Sequence, residues 1–250
     1  MKPLAKYSAE EIKAAVAERY GLVASMPERK AGFPVGRPFA ESVGYDASIL
    51  EQLPPGLWES FTGAGNPQPF VDVAPGETVL DLGCGAGLDL YLYSRRLQET
   101  GRLIGLDLSD AMLAKAKANL AAAGVSNVVW LHAAADAIPL EADSVDLVTA
   151  NGIFNLSPDK DAVMREVARV LKPGGRTIFA EIVLKSELPT ELRRELNDWF
   201  RCIGGALPER DFLGRLAMAG LENARVLSIG RNARTGHELA VCAVIRAEKP

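Results

Sequence analysis

From residue 78 onward the chain alternates between two patterns. TVLDL (78–82), RLIGLDL (102–108), NVVWLHA (127–133), SVDLVTA (144–150) and RTIFAEIVL (176–184) are short, mostly apolar runs. Runs of this kind are predicted strands, buried on both faces of a parallel sheet. Between them lie helical patterns: LDLYLYSRRL (88–97), SDAMLAKAKANLAAAG (109–124) and SPDKDAVMREVARVLKPGG (157–175). Ser109 is the expected N-cap of the second helix and Gly124 lies past its end. The third is expected to open at Pro158 and to close at Pro173 and Gly174. Strand and helix alternating along the chain predict a doubly wound α/β core. RVLSIGR (225–231) and HELAVCAVIR (237–246) add two strands. The expected architecture is a Rossmann-like, mostly parallel, seven-stranded sheet.

The first third reads differently. Ser8 and Glu11 have capping-box spacing, so residues 9–19 are a predicted helix. Residues 21–73 are rich in Pro and Gly, with short helical patches such as ASILEQL, and predict an irregular cap with no sheet. We therefore divide the chain into an N-terminal helical cap that covers substrate (1–75) and a core (76–250). Residues 187–220 are expected to form a helical insertion over the active site.

Composition narrows the function classes. The chain has 250 residues, 48% of them hydrophobic, with a formal net charge of −4. A surface that grips nucleic acid needs a basic face, which this balance argues against. No apolar run approaches the roughly 20 residues of a membrane span, and the N-terminus lacks an apolar signal core. A soluble, cytoplasmic protein is expected. Cys84, Cys202 and Cys242 are far apart, and the histidines are His132 and His237, so neither a disulfide framework nor a metal site is expected. The sequence sets no oligomeric state.

The strongest chemical signal is Asp81-Leu82-Gly83-Cys84-Gly85-Ala86-Gly87. Glycines between strand and helix permit a sharp turn and let a ligand approach main-chain amides. Such a turn alone would suit NAD, FAD or S-adenosylmethionine. A dinucleotide site wants G-x-G-x-x-G, but here the third glycine position is Leu88, and an acid stands two places before the first glycine. That combination resembles the first motif of class I S-adenosylmethionine-dependent methyltransferases. Asp107, at the end of the second strand, is placed to accept hydrogen bonds from both ribose hydroxyls, or else to cap the next helix, as Ser109 also can. Asp136, three residues before Pro139, stands where such enzymes carry an acid beside the adenine. It is equally readable as a solvated loop acid. Ala135 would supply the adjacent amide.

The resemblance narrows further. NGIFNLSPDK (151–160) is similar to the N-C-V-I-N-L-S-P-D-K region of arsenite methyltransferases, and Arg19-Tyr20-Gly21, Gly65-Asn66-Pro67 and RCIGGAL (201–207) also resemble that family. The similarity spans about residues 19 to 222. It implies S-adenosyl-L-methionine as cofactor, held by Asp81, Gly83, Cys84, Gly85, Gly87 and Asp89 on the first βα turn. Leu108, Met112, Asp107, Ala135, Asp136 and Asn151 complete the implied set. The family binds trivalent arsenic through cysteine thiolates, as a soft centre requires. This chain departs at two of those positions. A family G-C-G reads Gly63-Ala64-Gly65, and the cysteine of N-C-V-I-N-L is Gly152; only Cys202 remains. The missing side chain at Gly152 is expected to leave space for another acceptor.

The expected function is methyl transfer from S-adenosylmethionine to a small-molecule acceptor, soft or thiol-like because bases are scarce. Candidate reacting-face residues are Asn151, Cys202 and Glu181, with His237 as a further base; Glu181 reads equally well as a structural partner. Tyr20, Trp58 and Phe61 are candidates for an apolar wall around the sulfonium. The alternatives are methylation of thiol-conjugated arsenic through Cys202 alone, cofactor binding without catalysis, and nicotinamide oxidoreduction.

Overall fold

The computed structural model describes residues 6–27, 32–97, 100–188 and 196–250. The first helix, α1 (Ala9–Ser25), opens with the expected capping box: Glu11 N donates to Ser8 Oγ and Ser8 N donates to the Glu11 carboxylate. It runs past the expected end at residue 19. Past that point it packs on the Asp110–Ala122 helix, a Cβ at Gly21 falling within ordinary contact of Ser109 Oγ and Ala111 Cβ. Short helices follow, α2 (Gly36–Ser42), α3 (Ala47–Glu51) and α4 (Pro55–Trp58), then a 3-10 turn at Gln68–Phe70. Among the described residues the cap has no strand.

The sheet comprises β1 (Thr78–Leu82), β2 (Arg102–Asp107), β3 (Val128–His132), β4 (Val145–Asn151), β5 (Leu171–Leu184), β6 (Glu222–Arg231) and β7 (Ala240–Glu248). Its order is β3-β2-β1-β4-β5-β7-β6, with β7 antiparallel to both neighbours and the other pairs parallel. Helices α5 (Leu88–Leu97), α6 (Asp110–Ala122) and α7 (Lys160–Val170) form the crossovers; α8 (Leu196–Phe200) and α9 (Glu209–Met218) follow β5. Successive strand residues face opposite sides. Leu80 and Leu82 pack with Phe154, Phe179 and Phe212 on one face, and Val79 packs with Leu90, Tyr93 and Leu103 on the other.

Three boundaries differ from expectation. Asp159 caps α7, accepting from Ala162 N, so Pro158 stands outside the helix. The helix stops at Val170, and Leu171 turns extended ahead of Lys172-Pro173, where the helical region is disfavoured. LKPGG thus begins β5, with a register irregularity opposite Val145–Leu147. The described part of 187–220 is no single cover. The α8 helix lies on the Phe154–Leu156 turn, while α9 packs against α7, β5 and β6 as part of the core. None of its residues lines the cavity described below. Among the described residues, no helix is long and apolar enough to cross a membrane.

Candidate active site

The chain winds outward from β1 through β2 to β3, then returns across β1 to β4. The strand order therefore reverses between β1 and β4, and a crevice opens at their carboxyl ends. A cavity fills it. Gly83 and Gly85 follow β1; Asp107, Leu108, Ser109 and Met112 follow β2; Ala133, Ala134, Ala135 and Asp136 follow β3. Asn151, Gly152, Ile153, Leu156, Ser157 and Pro158 follow β4. The roof is one face of α1, Lys13, Val16, Ala17 and Tyr20, joined by Thr62.

The glycine turn divides its labour. Gly83 and Cys84 both donate to Leu106 O, tying the turn to β2, and Gly85 N donates to Asp107 Oδ2 at 2.9 Å. Gly85 has a φ of +53°, and a Cβ there would meet nothing within 4 Å, so its backbone faces open space. Gly87 serves packing instead: a Cβ would strike the Leu120 side chain of α6, and the residue is outside the cavity wall. Cys84 turns into the apolar core beside Gly105, where burial pushes its thiol well up. Cys84 and Gly87, both expected among the cofactor-binding residues, thus lie outside the cavity wall.

Asp107 Oδ1 accepts from Ser109 N at 2.8 Å, while Ser109 Oγ caps α6 through Met112 N. The two residues share the work of the turn, and Asp107, which lines the cavity, accepts one amide hydrogen bond at each oxygen, short of a carboxylate's full acceptor capacity. Burial raises the Asp107 pKa, and the amides of Ser109 and Gly85 hold it back. Asp136 pairs with Lys13 at 2.7 Å, and its Oδ1 is buried with no partner.

Asp81 and Asp89 lie behind the cavity, not in its wall. Asp81 points away from Leu80 and Leu82 and accepts from Thr149 Oγ1, its register partner on β4. Asp89 accepts from Tyr45 Oη (2.7 Å), Gln68 Nε2 (2.6 Å) and Asn151 Nδ2 (3.2 Å). Burial and mutual repulsion push the Asp81 carboxyl well above its usual range; burial also raises Asp89, against its three donors. Asn151 lines the cavity but its amide is occupied: Oδ1 accepts from Ala64 N (2.7 Å) and Gly65 N (3.1 Å), and Nδ2 also reaches Gly65 O and Tyr45 Oη. It fastens the cap loop to the sheet. Asp81 and Asp89 thus form the buried base of that fastening, in place of the cofactor contacts expected of them.

The other reacting-face candidates are also turned inward. Glu181 is fully buried and accepts from Phe154 N, Asn155 Nδ2 and Ile182 N, bracing the turn after β4; burial raises its pKa to about 7. It is absent from the cavity wall, which corrects its candidacy as a base. Cys202 is fully buried at φ +63°, its thiol 3.7 Å from Gly152 O, with burial raising its pKa to about 11. A Cβ on Gly152 would lie 3.2 Å from Ala64 N and 3.4 Å from Ala64 Cβ. The three positions where the related family carries cysteine therefore converge, and the cap loop fills the space expected to be open at Gly152. Of the aromatic candidates, Tyr20 reaches the cavity. Phe61 packs on Phe39 and Tyr45, and Trp58 lines a separate groove. His237 Nδ1 accepts from Leu239 N in a turn before β7, and His132 sits at an exposed rim against Leu108 O and Asp110. Among the described residues, no group of three or more His, Cys, Asp or Glu is placed to hold a metal.

The β3-β2-β1-β4-β5-β7-β6 order, with its glycine turn and an acid ending β2, defines the class I methyltransferase fold. Residues 74–233 match the methyltransferase domain family, and the chain belongs to that family. Its cofactor is S-adenosylmethionine. The wall fits that group: an open glycine backbone, a carboxylate at the end of β2, an orphaned buried Asp136 oxygen and apolar slabs from α1, Leu108 and Met112. An arsenite methyltransferase from Halobacterium salinarum is 33% identical over 220 residues, covering 84% of this chain and 56% of that protein. A demethylmenaquinone methyltransferase from Lactococcus lactis subsp. lactis is 41% identical over 106 residues, 42% of each chain. The crystal structure of an arsenic(III) S-adenosylmethionine methyltransferase from Chlamydomonas reinhardtii superposes with a TM-score of 0.65 at 30% identity, covering 80% of this chain and 71% of that one. The chain spans about half the length of the curated arsenite methyltransferases it resembles.

Proposed function

We propose that the protein transfers a methyl group from S-adenosylmethionine to a small-molecule acceptor. The observation that carries this reading is the single cavity wall on which Gly83, Gly85, Asp107 and Asp136 meet. Asp107 would hold the ribose hydroxyls, and Asp136 with Ala135 the adenine edge. When bound, the cofactor supplies a methyl carbon activated by its sulfonium. The chain's part is to position and to exclude water: α1 roofs the site, and Asn151 fixes the cap loop beside it. Orientation alone can lower such a barrier by up to about 7–11 kcal/mol. Among the described residues, no carboxylate, imidazole or thiol is presented at the Gly152–Pro158 end of the cavity, which favours an acceptor that needs no base there.

Isothermal calorimetry with S-adenosylhomocysteine and with NADH tests the cofactor. Binding of NADH alone would overturn this reading, and tight S-adenosylhomocysteine binding without any methylated product from a broad acceptor panel would favour a non-catalytic role.

The similarity to arsenite methyltransferases motivates a second reading, methylation of arsenic already bound to small thiols, with the Cys202 thiol behind Gly152. Assays with As(III) and glutathione decide it: turnover that is lost on Cys202→Ser supports it, and absence of turnover removes it.

A further inference from the structure

Arg234 lies in the loop between β6 and β7, 3% exposed, oriented by Asn232 Oδ1, which accepts from its backbone N. Its guanidinium donates to Thr62 O, to Phe200 O (2.8 Å) and to Tyr20 Oη (2.7 Å), and stacks 4.1 Å from the Phe33 ring. Its Nε is buried without a partner. Among the described residues, every group its guanidinium touches is neutral. Buried charges are ordinarily paired with opposite ones. The carboxylates acting on this region through space are occupied elsewhere: Glu181 by three N–H donors, Asp107 by two amides.

The charge stands directly behind the cavity. Tyr20 and Thr62, two of its partners, line the wall. Arginine has no acceptor, so Tyr20 Oη receives its hydrogen bond, and the phenol's own hydrogen has no acceptor among the described residues. Burial keeps that phenol protonated, hence a donor. Thr62 is two residues from Ala64 and Phe200 two residues from Cys202, so Arg234 ties together the segments that meet at Gly152. A buried cation therefore stands behind the wall formed by Tyr20 and Thr62, while Asp136, elsewhere on that wall, is already paired with Lys13.

We propose that the methyl acceptor enters as an anion, its charged atom accepting the Tyr20 hydroxyl with Arg234 as the buried counter-ion. This rests on the reading of the site as a methyltransferase. Where the charge lies on the reacting atom, that atom has no proton to lose, which accounts for a wall without a base among the described residues at this end. Where it lies on a carboxylate handle, the recognition by Tyr20 is the same.

Two titrations test it, with Tyr20→Phe and Arg234→Met as variants. In protein saturated with S-adenosylhomocysteine, benzoate is compared with benzamide, and 4-nitrothiophenolate with its neutral S-methyl ether. At least one anion is expected to bind about tenfold tighter than its neutral partner, as for one hydrogen bond to a charged group, and each variant to erase the preference. The thiolate pair reports a charged reacting atom and the benzoate pair a carboxylate handle. Separately, S-adenosylhomocysteine is compared with methylthioadenosine, which lacks the methionyl carboxylate; both variants should leave that ratio unchanged. Equal affinities, no anion binding, or a preference that survives the variants overturns the proposal. So does a ratio that collapses, since the anion would then be the cofactor's own. Should Arg234→Met fail to fold, Tyr20→Phe decides alone. If wild-type protein does not bind S-adenosylhomocysteine at all, the methyltransferase reading fails instead.

Discussion

In one part of the cavity wall, Gly83, Gly85, Asp107 and Asp136 come from three successive strand ends, each delivered by the end of its own strand or the loop after it. In and behind another part, Tyr20, Thr62, Asn151, Cys202 and Arg234 are gathered from the first helix, the cap loop, β4, the segment after β5 and the loop before β7. The first part depends on local turn geometry. The second depends on a buried polar lattice, Asn151 with Asp89 and Tyr45 on one side and Arg234 with Tyr20 on the other. The contrast separates two kinds of residue: those that face a ligand, and those that hold the chain segments which face it.

That contrast can be broken by substitution. The largest effect is expected from Asn151→Ala, which removes the amide joining the cap loop to the sheet and leaves two loop N–H groups without their acceptor. A loss of about 3 kcal/mol in urea unfolding is expected; wild-type stability would mean the loop is held by other contacts. Next comes Asp107→Ala, in the local part. Its affinity for S-adenosylhomocysteine should weaken about 10- to 100-fold by calorimetry, the worth of one or two hydrogen bonds to a charged group. Unchanged affinity would show the ribose to be misplaced.

Glu181 gives a smaller, pH-dependent signal. Burial raises its pKa to about 7 from an ordinary 4.5, so the fold favours the neutral acid. Its stabilising contribution is complete below the unfolded value and is lost as the pH rises through about 7. Wild-type stability relative to Glu181→Gln should fall by on the order of 1–2 kcal/mol from about pH 5 to about pH 8, measured by urea unfolding at each pH. A difference that does not change with pH would place an ionised carboxylate there throughout. The smallest effect is expected at the rim, where Lys13 pairs with Asp136. Lys13→Ala should alter the melting free energy by less than about 1 kcal/mol, because partly exposed pairs contribute little. A larger loss would make the pair a structural clasp for α1.

The first part was largely legible in the amino-acid order. The glycine turn, the acid ending β2 and the acid after β3 are short-range patterns, and all but Gly87 and Cys84 of that turn's glycines and cysteine lie in the cavity wall. Lys13 was not singled out in the sequence, although it shares a helical face with Val16, Ala17 and Tyr20, spaced by three and four residues. Arg234 and Thr62 carried no such signal. Nor did the inward turn of Asp81, Asp89 and Glu181. An acid at a strand end looks the same in sequence whether it faces a crevice or a neighbouring strand. On the paired strands Asp81 stands level with Gly105, two residues short of Asp107. Asp81 therefore lies inside the sheet, beside Thr149 of β4, while Asp107 lies past the last β1–β2 pair and meets the crevice.

Sequence alone determined the alternation of strands and helices, the capping of α1 and α6, and the glycine turn. Each follows from side-chain periodicity or from backbone conformations that few residues adopt. Only the tertiary structure decided which carboxylates meet the cavity, that Gly152 is packed against Ala64 and not left open, and that a buried guanidinium stands behind Tyr20. Those facts depend on segments far apart in the chain sharing one low-dielectric space. There a polar group's role is set by which donors and acceptors reach it first.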